Sequence, residues 1–373
     1  MAHQEAALIQ ARALLSNAMH WIADRVASPD PQGLKLVIFN PLSWRRTGPA
    51  LVEIPMSPQQ EPLITAPDGT IVPSQRVQQT SGGTIRYVVA PSNIPSVGYA
   101  SFKVALMPRK SEETNSEEFA NKVYENAFYR LEFAPGGLKS IYDKTLNREL
   151  LKTGEFLGGE IFALDSIGCD SSSYTGFGEV AQPSWKTIEK ASQYSPHWRL
   201  LESGSVRTGW RMEQPFKEAT VRLDMYAYQQ TKRLEFNISL LHWSGAIYKE
   251  YRMAMPVNIP DGQVSYDAPY AAFEVGKDEL QDPAFEGWYS VPSTQIHPRF
   301  VQDWISATNG DFGVMLSSQA TSWDYLDSKE KKDLFTLLQP ILLASRRSCH
   351  PQGNFYSPAG DYDFHFALTS FKG

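Results

Sequence analysis

The run Arg233-Leu234-Glu235-Phe236-Asn237-Ile238-Ser239-Leu240 has the cleanest pattern in the chain. Apolar residues at 234, 236, 238 and 240 alternate with polar residues at 233, 235, 237 and 239. A period of two puts the two sets on opposite sides of a pleated strand. The run therefore predicts an antiparallel strand with one face in a core and the other wetted. Shorter alternations flank it: Val221, Leu223 and Met225 before it, and Tyr129, Leu131 and Phe133 further upstream. Downstream, Phe312 to Leu316 follows the turn Asn309-Gly310-Asp311. Pro135-Gly136-Gly137 marks another turn. Strands at this spacing predict a large antiparallel sandwich.

The same period extends towards the N-terminus. Leu36–Phe39 and Leu51–Ile54 are short apolar runs. Ile85, Tyr87 and Val89 alternate, as do Phe102, Val104 and Leu106. Turn signals at Asn40-Pro41, Pro67-Asp68-Gly69, Ser81-Gly82-Gly83 and Ser96-Val97-Gly98 separate them. Before all of this lies the one strong helical signal. Leu8, Leu15, Met19, Ile22 and Val26 form a stripe at the 3.6-residue period, and Pro29, Asp30, Pro31 and Gly33 stop it. A lone helix cannot bury such a stripe, so self-association through it is expected. The stretch Pro108–Glu118, PRKSEETNSEE, contains no apolar side chain other than its proline and reads as a linker. The predicted organisation is a helix in 1–33, a small β-sandwich in 34–107, a linker in 108–123 and a large supersandwich in 124–373. A second, short helix is expected only over Glu330–Leu338.

Composition limits the function. The chain has 373 residues, room for two or three domains at roughly 100–200 residues each. Lys plus Arg number 35 against 41 Asp plus Glu, a formal charge of −6. That balance argues against a general nucleic-acid or anionic-membrane binder. No apolar run is long enough to predict a membrane-spanning helix. Cys169 and Cys349 are the only cysteines, too few for a disulfide framework or a cysteine-based zinc site. Met1-Ala2-His3-Gln4-Glu5 does not open a signal peptide. The compartment stays open, with the cytoplasm favoured.

Local motifs of catalysis are missing. The seven histidines form no H-x-x-x-H, H-x-H or H-x-D pair. Ser203-Gly204-Ser205 lacks the context of a nucleophile elbow. Gly176-Phe177-Gly178 is not a nucleotide loop, and adjacency of Cys349 and His350 does not make a dyad. Glycosidases use paired carboxylates, but among 41 acids the sequence singles out no pair; Asp303, Asp324 and Asp327 lie near aromatic residues, which suits a sugar site, and they read first as surface charges. Sugar sites combine aromatic rings with hydrogen-bonding edges. Glu286-Gly287-Trp288-Tyr289 and Gln295-Ile296-His297-Pro298-Arg299-Phe300, followed by Trp304, Trp323 and Tyr325, fit that mixture. They also fit packing between sheets. Trp288, Tyr289, His297 and Arg299 are the candidate substrate-binding residues.

Specific strings add a resemblance. Leu36-Val37-Ile38-Phe39-Asn40-Pro41-Leu42-Ser43-Trp44-Arg45-Arg46 resembles the opening of the β-rich part of family 38 glycoside hydrolases, the zinc-dependent α-mannosidases. Tyr124-Glu125-Asn126-Ala127-Phe128-Tyr129, then Gly136-Gly137-Leu138-Lys139-Ser140-Ile141-Tyr142-Asp143-Lys144, then Asn147-Arg148-Glu149-Leu150, is similar to the family's next block. Residues 233–257, 266–273, 312–314 and 360–368 fit its later strands in order. The resemblance implies antiparallel β-sandwiches, the larger one similar to a galactose-mutarotase supersandwich. It makes the N-terminal helix the last helix of a helical middle domain. It implies retaining hydrolysis of α-mannosides, with zinc and the aspartate nucleophile in a catalytic barrel that this chain does not contain. No residue here matches a zinc ligand, nucleophile or general acid, so no catalytic or metal residue and no cofactor is assigned. The expected partners are mannosides, reached through the parent enzyme, and the missing catalytic and helical domains. The alternative is a free-standing carbohydrate-binding or mutarotase-like module.

Overall fold

The computed structural model describes residues 2–27, 33–79, 83–109, 119, 122–167, 182–260, 262–279, 299–318, 322–326, 336–345 and 357–373. The chain divides into two units. One comprises 1–113 together with the turn 204–206, and the other comprises 114–203 and 207–373.

The first unit opens with the helix Ala2–Arg25. Its stripe is exposed at Leu8, Leu15, Met19 and Ile22, and only Val26, just beyond it, is buried. Two three-stranded antiparallel sheets follow. Leu34–Asn40, Gly98–Pro108 and Gln60–Thr65 form one, in that order; Ala50–Pro55, Thr84–Val89 and Ser74–Gln79 form the other. Their alternating apolar residues meet in one core around Ile54, Ile64, Ile85, Tyr87, Val89, Phe102 and Val104. Asn40 is 1% exposed. Its amide donates to the carbonyls of Trp44, Ile94 and Pro95, at 2.7, 3.3 and 2.9 Å, and its Oδ1 accepts from the Leu42 amide. That one side chain holds the F-N-P-L-S-W loop shut.

The second unit holds two large antiparallel sheets and a smaller one. The nine-stranded sheet runs Trp198–Ser203, Arg207–Phe216, Ala219–Tyr228, Leu234–Trp243, Gly360–Lys372, Phe312–Ser318, Trp304–Thr308, Gln263–Ala268 and Ala271–Glu274. Leu234, Phe236, Ile238 and Leu240 are buried, and the intervening residues are only partly covered. The seven-stranded sheet is centred on Glu160–Ile167, Lys249–Val257 and Thr336–Ser345. The four-stranded sheet carries the hairpin Tyr129–Ala134 and Gly137–Asp143. All three sheets feed one core, in which Leu131, Ile141, Ile161, Met253, Leu342, Trp210, Leu223, Phe236 and Leu368 lie. Each fully buried aliphatic or aromatic side chain contributes about 1.5–3 kcal/mol, so this core dominates the unit's stability. The fold is mainly β with antiparallel sandwiches, as the alternation predicts.

The expectation of a helix over Glu330–Leu338 does not hold where the residues are described. Thr336, Leu337 and Leu338 begin the strand Thr336–Ser345, in which every residue but Ala344 is buried. Its neighbour Lys249–Val257 is buried at every position but the first. The seven-stranded sheet has apolar residues on both faces: Met253, Met255 and Leu338 point into the main core, while Phe162, Leu164, Ala254 and Leu337 form a second cluster. Burial on both faces erases the alternation, and a strand without it cannot be told from a buried helix by its period.

Candidate functional site

Of the four candidate substrate-binding residues, Trp288, Tyr289 and His297 lie outside the described residues. Arg299 begins the two-residue strand Arg299–Phe300, paired with Ser322–Leu326 at the edge of the seven-stranded sheet. Its side chain is buried. The guanidinium meets Glu279 through two bonds, Nε to Oε1 at 2.6 Å and Nη2 to Oε2 at 3.1 Å. Tyr266 donates its hydroxyl to Glu279 Oε1 at 3.0 Å. Burial raises the Glu279 carboxyl, but the Arg299 bonds and charge outweigh it, and the group sits below its ordinary range. The Tyr266 phenol is pushed up to about 12, by burial first and then by its bond to the carboxylate. An Arg–Glu–Tyr cluster with these shifts keeps its ion pair around neutrality and fixes the chain on each side of residues 280–298. Cys169, Cys349, His350, Asp327 and Gly176–Gly178 also fall outside the described residues.

A second buried pair lies at the centre of the seven-stranded sheet. Arg252 donates through Nε to Glu250 Oε1 at 2.6 Å and through Nη1 to Gln339 Oε1 at 2.9 Å. All three residues are almost fully buried. A buried guanidinium and carboxylate survive there because each satisfies the other.

The third cluster explains the residues that carry the family resemblance. The Asn126 Oδ1 accepts from the Phe128 and Tyr129 amides, closing a turn, and its Nδ2 donates to the Tyr228 carbonyl at 2.9 Å. Lys144 bridges Glu125 and the Asn126 carbonyl. Asp143 is fully buried. Its Oδ1 accepts from the Thr145 amide and hydroxyl and from the Leu146 amide. Its Oδ2 takes Lys232 Nζ at 2.6 Å and Ser370 Oγ at 2.5 Å. The Ser370 hydroxyl lies 3.0 Å from the Tyr129 hydroxyl. Burial pushes the Asp143 carboxyl up, yet the bonds from Lys232, Ser370, Leu146 and Thr145 overcome it, so its pKa is lowered. Tyr129, with burial as the main cause, rises to about 12. These residues lock the hairpin 129–143 onto the strand Gly360–Lys372. They are cross-links, and spacing alone gave no sign of it, because Lys232 and Ser370 are far away in sequence.

Among the described residues, no three His, Cys, Asp or Glu side chains converge so as to hold a metal ion. The donors among the described residues do not fit zinc, and no step through zinc is derived from them. Among the described residues no helix is long and apolar enough to cross a membrane.

A family model described as glycosyl hydrolases family 38 C-terminal domain matches residues 124–321, more than half of the 373. Two solved structures share the fold. One is an alpha-mannosidase from Enterococcus faecalis V583, with a TM-score of 0.64 at 12% identity, covering 92% of this chain and 43% of that one. The other is a protein in glycosyl hydrolase family 38 from Enterococcus faecalis, with a TM-score of 0.65 at 12% identity, covering 92% and 45%. The chain thus spans less than half the length of either structure. No curated protein matches the sequence.

Proposed function

This chain belongs to glycosyl hydrolase family 38 through its C-terminal domain, and from that premise we propose that it supplies the β-sandwich region of an enzyme that hydrolyses α-mannosides with retention. The observation that carries this reading is the C-terminal-domain match over 124–321. The reading assigns the nucleophile, the general acid and zinc to a part of the enzyme outside these 373 residues. The pairing of the buried charges supports it: Arg299 with Glu279, Arg252 with Glu250 and Lys232 with Asp143 serve the fold. A catalytic carboxylate pair needs a defined separation across a sugar, about 5–5.5 Å for retention. Carboxylates already engaged with Arg and Lys are poor candidates for that task. Of the four proposed rim residues, Trp288, Tyr289 and His297 would approach the substrate cleft, and Arg299, held by Glu279, would anchor the segment. The partners in this reading are mannosides and the catalytic and helical domains. The exposed stripe Leu8, Leu15, Met19 and Ile22 is proposed as an association surface, for those domains or for a second copy.

The test is an assay of the purified chain with an aryl α-mannoside and zinc. No turnover is expected from the chain alone, and activity should appear when it is combined with the remainder of the enzyme. Turnover by the isolated 373 residues would overturn the proposal.

A further inference from the structure

The nine-stranded sheet turns one face to the core. On its other face, polar and small side chains enclose an open depression of about 430 Å3. Cross-strand register builds it. Glu235 pairs with Ala367, Ala367 with Ser317, and Ser317 with Trp304. On the opposite side Glu235 pairs with Tyr226. One outward row therefore reads Tyr226, Glu235, Ala367, Ser317, Trp304, with aromatic residues at its ends and small ones towards the middle. Ala367 makes the floor, because any larger side chain there would fill the space. Glu235 and Ser317 stand one strand to either side of it, so the gap they frame is roughly 10 Å wide at the usual interstrand spacing. The next row adds Asn237 paired with His365, and Asp303 closes the rim.

The charges decide what can enter. Glu235 is already engaged, by Arg233 at 2.7 Å and by the Tyr228 hydroxyl, which donates to Oε2 at 2.8 Å. The His365 Nδ1 lies 3.0 Å from Asn237 Oδ1. With Nδ1 protonated it donates there, which leaves Nε2 as an acceptor and the Asn237 amide as a donor. The Ser317 hydroxyl donates to the Ala367 carbonyl at 3.5 Å, a long bond, and keeps its lone pairs to accept; Asp303, which is exposed, has no partner among the described residues. A cation would need three converging ligands, and none converge among the described residues. An anion would face two carboxylates, Glu235 and Asp303, against a single guanidinium, Arg233, whose charge is already paired with Glu235. A sugar hydroxyl is both donor and acceptor and matches this mixture of carboxylates, imidazole, amide and hydroxyl. The volume lies within the usual range of small-molecule sites, about 300–1,000 Å3.

We propose that this depression binds one pyranose ring, as a carbohydrate site on the outer face of the sheet. The proposal does not rest on the family's catalytic reading. It concerns residues within one unit of this chain and needs neither zinc nor turnover. Failure to bind sugar would leave the family assignment intact, and failure of the assay above would leave this site intact.

The experiment is a calorimetric titration of the full chain, without zinc, with methyl α-mannopyranoside, methyl α-galactopyranoside and methyl β-glucopyranoside. Calcium chloride and sodium phosphate serve as competing chemistries. Saturable binding of at least one pyranoside is expected, with a Kd on the order of 1 mM. Asp303→Ala and His365→Ala should each weaken it about tenfold or more. Ala367→Leu should abolish it while the melting temperature stays that of the parent chain. If Ala367→Leu unfolds the protein, Asp303→Asn at the exposed rim carries the test instead, with the same weakening expected. The proposal falls if no pyranoside saturates up to about 50 mM, more than tenfold above the expected Kd. It also falls if only calcium or phosphate binds, or if the folded variants bind as the parent does.

Discussion

Asp143 accepts bonds from both ends of the second unit's sequence, and its ionisation state therefore bears on stability. The folded carboxyl lies below its ordinary range. A depressed carboxyl contributes stability that is present above the unfolded pKa and is lost as pH falls through the folded one. Asp143→Asn should lower stability at pH 7, and the gap to the parent chain should close as the pH drops below the carboxylate range. Asp143→Ala leaves Lys232, Ser370 and two amides without their acceptor and should cost about 3 kcal/mol. Thermal melts from pH 7 to 3 check both, and a gap independent of pH would refute the ionic account. The importance of Asp143 could not be read from the D-K string itself. Nor could that of Asn40, whose partners Ile94 and Pro95 are distant in sequence. Their strings were recognisable; what those side chains hold was not.

At the scale of elements, the hairpin Tyr129–Ala134 and Gly137–Asp143 turns through Gly136 at φ +93°. An L side chain is strongly disfavoured in that conformation. A Cβ there would also come within 2.5 Å of the Ser192 backbone. Gly136→Ala should thus cost about 2 kcal/mol or more, read as a drop in the denaturant midpoint. An unchanged midpoint would mean the turn relaxes to another shape. Strands with one wet face were legible in the residues, and 234–240 is the best of them. Two kinds were not. Ser74–Gln79, SQRVQQ, offers almost no apolar residue to alternate. Thr336–Ser345, TLLQPILLAS, is buried on both faces and shows no alternation, so its first residues read as a helix. The candidate site was harder still. Arg299 was legible as a polar residue among aromatics, but its engagement with Glu279 is a tertiary fact. Glu235 and Asn237 read as a wet face, whereas the depression they line also needs His365 and Ala367 from a distant strand.

For the whole molecule, the decisive strand is Gly360–Lys372. It pairs with Leu234–Trp243 on one side and Phe312–Ser318 on the other. Four strands of the nine-stranded sheet lie to each side of it, and among the described residues it alone joins the two groups. Removing 360–373 should leave the second unit unfolded or aggregated, seen as loss of near-ultraviolet circular dichroism and of soluble yield. A cooperative melt with native amplitude in that deletion would refute this. The strand's position also sets an order of events during synthesis. The strands within 198–243 can pair as they leave the ribosome, and so can those of 263–274 and 304–318. Each group then exposes a bare, apolar-backed edge until 360–372 emerges to close it. The second unit is therefore committed to finishing its main sheet late, and the interval between residues 243 and 360 is when its unpaired edges are most open to aggregation.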